Sequence, residues 1–271
     1  MKKIVIIALF ISSIINAQSK KEFTYSLVGI KKVKIESGTS IKIIASASSK
    51  LVLSETKHSH NGNSPIINRL VNNHKGKSKS DKRKGLTAIY PGGRDNTNGF
   101  GFSVKKEGNV LIIKDLKSHF QRNGIQISLP KTMNFLADSG NLGSIDIEGF
   151  TSEIEADSNV GAINIKNVTG PITAHTSVGT ITIDFSKVNQ TSPITITTSV
   201  AEIDVSLPAN TNANLELKTR GTVYTNFDFP IPTKKGMKRV NSRSSISGNI
   251  NKGGVKITLR SSLGNIYLRK K

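Results

Sequence analysis

Hydrophobic and polar residues alternate in the second half of the chain, and the alternation repeats. In a six-residue phrase, the second residue is small, the fourth and sixth residues are aliphatic, and the fifth residue between them is polar. It reads LGSIDI from Leu142, VGAINI from Val160, VGTITI from Val178, VAEIDV from Val200 and LGNIYL from Leu263, with a weaker RGTVYT from Arg220. The small residues are separated by steps of 18, 18, 22, 20 and 43 positions. Alternation with a period of two predicts strands that bury one face.

A second aliphatic phrase, such as Ile154-Glu155-Ala156 or Ile172-Thr173-Ala174, lies between copies of the first. Each repeat therefore predicts two short strands, joined by turn-forming runs such as NVTGP and LPANTNAN. The predicted inward residues of the first phrase include Ile163, Ile165, Ile181, Ile183, Ile203 and Val205. The glycine before each strand predicts a corner with a sharp bend or a close approach of the neighbouring backbone.

One repeat of about twenty residues buries too few aliphatic side chains to offset the entropy of ordering its backbone. Stacked repeats solve this problem, because each coil covers the apolar row of the next. The pattern therefore predicts an all-β fold, a parallel β-solenoid with coils of 18–22 residues and two short strands in each. A β-sandwich is the alternative, since short strands separated by turns are also typical of sandwiches.

The sequence predicts a leader followed by one domain. Residues 1–17, with the basic start MKK, an apolar run and a small residue at Ala17, are typical of a signal peptide. A membrane anchor is the alternative, but the apolar run is shorter than the roughly 18–20 residues that span a bilayer. We predict that residues 18–271 form a single solenoid domain, in which 18–130 are irregular opening coils with a basic loop at 57–100. Residues 131–271 are regular repeats with an insertion at 230–254. Inward candidates in the opening coils are Val33, Ile35, Ile41, Ile43, Val110, Ile112, Ile125, Ile127 and Leu129.

The composition excludes several kinds of functional site and favours one class of partner. The chain has no cysteine, which excludes disulfides, thiolate metal sites and thiol nucleophiles. No second long apolar segment follows the leader, so we expect an exported protein in the periplasm, at the cell surface or outside the cell. The formal charge of +21 favours an anionic polysaccharide or another acidic envelope component as partner. Nucleic acid is disfavoured, because tryptophan is absent and no recognition motif occurs.

The strongest candidate for binding an anionic partner is the basic run HKGKSKSDKRKG, residues 74–85. Its candidate ligand-binding residues are Lys75, Lys77, Lys79, Lys82, Arg83 and Lys84. A solvated loop without a ligand is the alternative interpretation of this run. His58, His60 and His74 have residue types that could bind zinc, but they lie in a polar, lysine-rich segment, and we predict no metal site or cofactor.

The outward strand positions predict two polar ladders. These are Ser144, Ala162, Thr180, Glu202 and Thr222, and Asp146, Asn164, Thr182, Asp204 and Tyr224. Stacked carboxylates on a β-helix suit polysaccharide cleavage, and Glu202 and Asp204 lie about 7 Å apart on one strand face, as an inverting pair requires. The pair has no evident pocket or arginine beside it. We therefore predict no catalytic residue and no enzymatic activity.

Three runs resemble the putative adhesin family of secreted bacterial proteins, which is similar to the adhesin heads called GIN domains. They are PGGRDNTNGFGFSVKKEGNVLIIKDL, the repeats from SGNLGSIDIEGFTSEIEADS to TNANLELKTRGTVYTNFDF, and GGVKITLRSSLGNIYLRK. That family carries a domain of unknown function, and the resemblance implies a β-helical surface or periplasmic protein. Its turn often reads Asn-Gly-Asp, whereas this chain has LGS, VGA, VGT and VAE.

Together these observations predict a non-enzymatic, adhesin-like binding protein that presents a rigid polar face to anionic glycans. A polysaccharide-cleaving enzyme and a structural or regulatory periplasmic protein are the alternatives.

Overall fold

The computed structural model describes residues 21–55, 86, 89–117, 125–228 and 244–271. The predicted signal peptide, the three histidines of the zinc hypothesis and the basic run at 74–85 lie outside these ranges. The described residues form twenty strands. They are β1 (Glu22–Ser26), β2 (Lys32–Glu36), β3 (Ile41–Ser46), β4 (Lys50–Glu55), β5 (Phe102–Glu107), β6 (Val110–Asp115), β7 (Ile125–Pro130), β8 (Asn134–Asp138), β9 (Ile145–Glu148), β10 (Ile154–Val160), β11 (Ile163–Val168), β12 (Ile172–Val178), β13 (Ile181–Phe185), β14 (Ile194–Thr198), β15 (Ile203–Leu207), β16 (Ala213–Thr219), β17 (Val223–Thr225), β18 (Ser244–Ile250), β19 (Val255–Ser261) and β20 (Ile266–Lys270). Over the same ranges, no helix has the length and apolar character that crossing a membrane requires.

The strands form two ten-stranded sheets. Sheet 1 has the order β1-β4-β7-β3-β9-β11-β13-β15-β20-β17, and sheet 2 has the order β18-β16-β19-β14-β12-β10-β8-β2-β6-β5. Each coil places one strand in each sheet, and neighbouring coils pair in parallel, as β10 with β12 and β11 with β13. This confirms the predicted solenoid-like fold. A β-sandwich, the alternative, is built from antiparallel strands.

The coils stack in chain order only in the middle of the molecule. Coils β8–β9, β10–β11, β12–β13 and β14–β15 follow one another. At one end, coil β2–β3 lies between β6–β7 and β8–β9. At the other end, the final coil β19–β20 lies between β14–β15 and β16–β17. The peripheral strands β1, β4, β5 and β18 pair antiparallel, and β18 comes from residues 244–250, within the predicted insertion.

The core lies between the two sheets and consists of the inward rows of all the coils. Ile163 and Ile181 are fully buried, as the alternation predicts. In β6 the prediction is wrong: Leu111 and Ile113 are buried, whereas Val110 and Ile112 are not. The run VLII is apolar at every position, so alternation cannot identify its inward face. Pairing with β2 decides it, because Leu111 lies opposite the buried Val33.

The glycine of the repeated phrase is required by a close approach of backbones. A Cβ atom on Gly161 would lie 2.0 Å from the carbonyl oxygen of Gly143, and one on Gly179 would lie 2.0 Å from that of Gly161. On Gly264 the corresponding distance, to Ala201 O, is 2.1 Å. None of these three glycines has a positive φ. Of the two reasons predicted for the glycine, a sharp bend or a close approach of the neighbouring backbone, the close approach is therefore the correct one.

A row of buried hydroxyl groups completes this corner. Thr176 Oγ1 donates a hydrogen bond to Gly161 O at 3.1 Å, and Thr198 Oγ1 donates to Gly179 O at 3.1 Å. The same bond recurs from Ser158 to Gly143 and from Ser261 to Ala201. These side chains are buried, and a buried carbonyl without a donor would be costly. Each of these four coils thus donates to the corner carbonyl of the coil before it in the stack, and Gly143 O also accepts a hydrogen bond from Ser139 Oγ of its own coil.

Candidate anion-binding cleft

The site residues predicted from the sequence lie outside the described ranges. Lys75, Lys77, Lys79, Lys82, Arg83 and Lys84 therefore remain a prediction. Across the residues that the structure describes, no group of three or more His, Cys, Asp or Glu side chains is placed to hold a metal ion.

The carboxylates considered for catalysis, Glu202 and Asp204, lie on the outer face of sheet 1. Both oxygens of Asp204 accept hydrogen bonds from the guanidinium of Arg269, each at 2.8 Å. This contact raises the pKa of Arg269. Glu202 accepts hydrogen bonds from Asn265 and from the Tyr267 hydroxyl, both at 3.3 Å. An arginine therefore does stand beside the pair, and it occupies the oxygens of Asp204 that a general base would use.

The outward ladders also differ from their predicted order. Asp146, Asn164, Thr182 and Asp204 are consecutive, as predicted, but Tyr267 lies between Asp204 and Tyr224. Asn265 similarly lies between Glu202 and Thr222, with its amide oxygen accepting from Thr222 N. The reason is the insertion of coil β19–β20 ahead of β16–β17.

The position of coil β19–β20 between β14–β15 and β16–β17 also creates a basic cleft. This cleft lies on sheet 2, across the corner from the ladders of sheet 1. Lys218 of β16 lies directly opposite Arg260 of β19 and Ser245 of β18. The cleft has a volume of about 370 Å³. Its lining residues are Lys218, Thr219, Arg220, Ser245, Arg260, Ser261 and Ser262. Every side chain in this set carries either a positive charge or a hydroxyl group.

The basic side chains of the cleft differ in whether an acidic side chain neutralises them. Glu216 accepts hydrogen bonds from Lys218 and Lys256, and these lower the pKa of Glu216 to about 2. Arg220 and Arg260 are exposed, and neither forms an ion pair with any residue that the structure describes. Two arginines beside a partly neutralised lysine leave a net positive site.

The hydroxyl groups divide into two sets. Thr219 and Ser261 point to the corner, where Thr219 Oγ1 donates to Gly264 O at 2.5 Å and Ser261 Oγ donates to Ala201 O at 2.8 Å. Ser245 and Ser262 are exposed and belong to the rim. Arginine guanidinium groups hold carboxylate, sulfate and phosphate oxygens in a bidentate geometry, and hydroxyls add further donors. The arrangement is therefore suited to an anion with several oxygens.

Sequence reasoning missed this cleft, although a signal was present. Lys218 and Arg260 follow the phrases Leu215-Glu216-Leu217 and Ile257-Thr258-Leu259 at the same position. Aligned phrases predict that the two cations share an outward row. Their direct adjacency depends on the coil order at this end of the stack, which the repeat spacing does not encode.

Residues 131–269 match the protein-family model described as Toastrack DUF4097. The chain belongs to the Toastrack DUF4097 family. The match covers the coils from β8 to β20 and includes the described side chains of the basic cleft. It confirms the resemblance to a family that carries a domain of unknown function.

Two solved structures match the Toastrack chain at low sequence identity. A putative cell adhesion protein from Clostridium sporogenes ATCC 15579 is 14% identical with a TM-score of 0.41, covering 93% of this chain and 100% of that one. A putative adhesin from Bacteroides fragilis NCTC 9343 is 13% identical with a TM-score of 0.32, covering 92% of this chain and 96% of that one. Among curated proteins, none matches the chain significantly.

Proposed function

We propose that this Toastrack protein is an exported, non-enzymatic binding protein of the cell envelope, and that it binds anionic glycans in the basic cleft. The observation that carries the proposal is the convergence of Arg220 and Arg260 on one cleft, without an acidic partner among the described residues. Unpaired guanidinium groups are a preferred partner of carboxylate and sulfate groups. The signal-like residues 1–17 support export, which intact-mass measurement of the secreted protein tests.

The solenoid scaffold suits a binding role. Lys218 and Arg260 lie on strands that pair along six consecutive positions, so their backbones are held in fixed register. Side chains on regular strands are positioned more precisely than those on loops, and a preorganised site loses less entropy on binding. The full chain carries a formal charge of +21, and the mature protein, without Lys2 and Lys3 of the predicted signal peptide, would carry +19, which adds long-range attraction for a polyanion.

The test is binding of a fluorescent heparin oligosaccharide to the mature protein over a range of salt concentrations. Replacing both arginines, Arg220→Ala with Arg260→Ala, is expected to weaken binding by at least roughly tenfold, since a hydrogen bond to a charged group contributes about 1.5–3 kcal/mol. The slope of log affinity against log salt should become shallower by about one for each arginine replaced.

The matched control removes the same charge from the other sheet. Lys42 and Lys166 are exposed on sheet 1 and form no ion pair within the described residues. The double variant Lys42→Ala with Lys166→Ala should leave most of the affinity intact. If both double variants lose equal affinity, binding reflects net charge and the cleft proposal is wrong.

A third variant, with alanine at the six basic positions from Lys75 to Lys84, tests the loop predicted from the sequence. Loss of heparin retention in that variant alone would transfer the proposed site from the cleft to the loop.

A further inference from the structure

Two tyrosines stack on the outer face of sheet 1 at the same end of the solenoid as the cleft. The rings of Tyr224 and Tyr267 have centroids 5.2 Å apart and planes inclined by 10°. They stand on β17 and β20 at directly paired positions. Tyr224 is 51% exposed, and β17 is the last strand of sheet 1 in the part of the chain that the structure describes.

The inner tyrosine is held firmly from several directions. Arg269 places its guanidinium carbon 5.5 Å from the centroid of the Tyr267 ring, and Asp204 on β15 fixes that guanidinium through two hydrogen bonds. The Tyr267 hydroxyl donates to Glu202 at 3.3 Å and lies 3.3 Å from the Asn265 amide nitrogen. Because β20 lies between β15 and β17, Tyr267 has neighbours on both sides along the stack.

The outer tyrosine has a different situation. One face of Tyr224 packs on Tyr267, and its other face is directed past the edge strand. A flat aromatic face, supported from behind by an immobilised ring, loses little conformational entropy when a second flat group packs on it. The C–H face of a pyranose ring is such a group, and its hydroxyls remain free to form hydrogen bonds with the polar side chains around the stacked Tyr224 and Tyr267, which we call the platform.

The platform and the cleft are close along the chain. Only three residues separate Arg220 from Tyr224, so their Cα atoms are at most about 14 Å apart even in a fully extended segment. This distance is short enough for one oligosaccharide to reach both places around the corner of the terminal coil.

We propose that Tyr224 stacks against one sugar ring of an anionic oligosaccharide whose charged groups occupy the basic cleft. This proposal rests on the proposed function, because it places the second contact of the same ligand. It identifies the ligand as a charged glycan with an accessible ring face, because a polyanion without rings could occupy the basic cleft but would not form the contact with Tyr224. Tyr224 contributes ring recognition, while Arg220 and Arg260 contribute charge recognition.

The experiment compares two polyanions. A heparin oligosaccharide contains sugar rings, whereas inorganic polyphosphate contains none. Each is titrated into the wild-type mature protein and into Tyr224→Ala, Tyr224→Phe and the Arg220→Ala/Arg260→Ala double variant. Tyr224→Ala should weaken heparin binding by roughly three- to tenfold, the range expected for loss of one aromatic stacking interaction. It should leave polyphosphate binding and the salt slope unchanged, and Tyr224→Phe, which keeps the ring, should bind heparin like the wild type.

The outcomes separate the two proposals. If the arginine variant loses both probes while Tyr224→Ala binds heparin normally, the stacking proposal is overturned and the proposed function stands. If wild type and arginine variant bind heparin equally, or if wild type does not bind it, both are overturned. Equal loss of both probes in Tyr224→Ala indicates that the substitution disturbs the cleft itself, and this result also overturns stacking.

A single-stranded oligonucleotide provides a further arm, since bases also stack on tyrosine. If Tyr224→Ala weakens oligonucleotide binding but leaves heparin binding unchanged, the ring contact belongs to nucleic acid and the glycan proposal is wrong.

Discussion

Gly161→Ala tests whether close backbone approach explains the repeated glycine. The added Cβ would lie 2.0 Å from Gly143 O and 2.6 Å from Gly143 C. Non-bonded carbon atoms pack at about 3.5–4.0 Å, and even a strained contact needs a displacement of roughly 1 Å. The obstacle is backbone on a neighbouring coil, so no rotation of a side chain can relieve it.

The cost follows from the bonds that such a displacement would break. Gly143 N donates to Val160 O at 3.1 Å, and Gly161 N donates to Val178 O at 3.0 Å. Moving the corner by roughly 1 Å would stretch one of these bonds beyond hydrogen-bonding distance. A broken hydrogen bond costs about 1 kcal/mol and overpacking about 1–3 kcal/mol, so we expect a destabilisation of about 3 kcal/mol.

Thermal unfolding followed by circular dichroism measures the effect. For a domain of this size about 3 kcal/mol corresponds to a fall in Tm of roughly 6–12 °C. Ala162→Ser is the matched control, because it adds one heavy atom at the next, outward-facing position, and its stability should change by less than about 0.5 kcal/mol. If Gly161→Ala has the same Tm as this control, the close-approach explanation is refuted. The backbones at this corner could then move apart at little cost.

Two further predictions concern the hydroxyl row and the cleft. Thr176→Val should lower the free energy of unfolding in urea by about 1–3 kcal/mol, because Gly161 O loses its buried donor. Thr173→Val, on the exposed face of the same strand, should cost less than about 0.5 kcal/mol, and equal losses would contradict a role for the hydroxyl. Glu216 has a pKa lowered from 4.5 to about 2, so its contribution to stability is present above pH 4.5 and is lost as the pH falls towards about 2. Between pH 4.5 and about 2, the free energy of unfolding in urea should fall less for Glu216→Gln than for wild type. Glu153 forms no ion pair with a described residue, so Glu153→Gln should show the same pH dependence as wild type.

The regular coils were predictable because their period and alternation report two independent geometric facts. The period gives the length of one turn, and the alternation of residues such as Ile163 and Asn164 gives the inward face. Alternation failed at Val110 and Ile112, where four apolar residues in succession leave both faces apolar. The buried hydroxyls were not predicted, although Ser158, Thr176 and Thr198 all precede the small corner residue by three positions.

The candidate site was less predictable, because it depends on which coils touch. Periodicity identifies Lys218 and Arg260 as outward residues, but it does not show that β19–β20 is inserted ahead of β16–β17. The step of 43 between Gly221 and Gly264 indicated an interruption, and its effect on coil order appears only in the strand pairing. The tyrosine stack has the same origin, since Tyr267 reaches Tyr224 only through this order.

The coil order also determines how the molecule resists a pulling force. In a simple stack the last coil of the chain has one neighbour, so tension at the carboxyl end peels it off one hydrogen bond at a time. Here β20 is paired along five positions with β15 and along three with β17. β19 is likewise paired with β14 on one side and β16 on the other. Withdrawing coil β19–β20 therefore requires two ladders to shear in each sheet, so a force that acts on β20 meets more hydrogen bonds at once than it would in a coil with one neighbour.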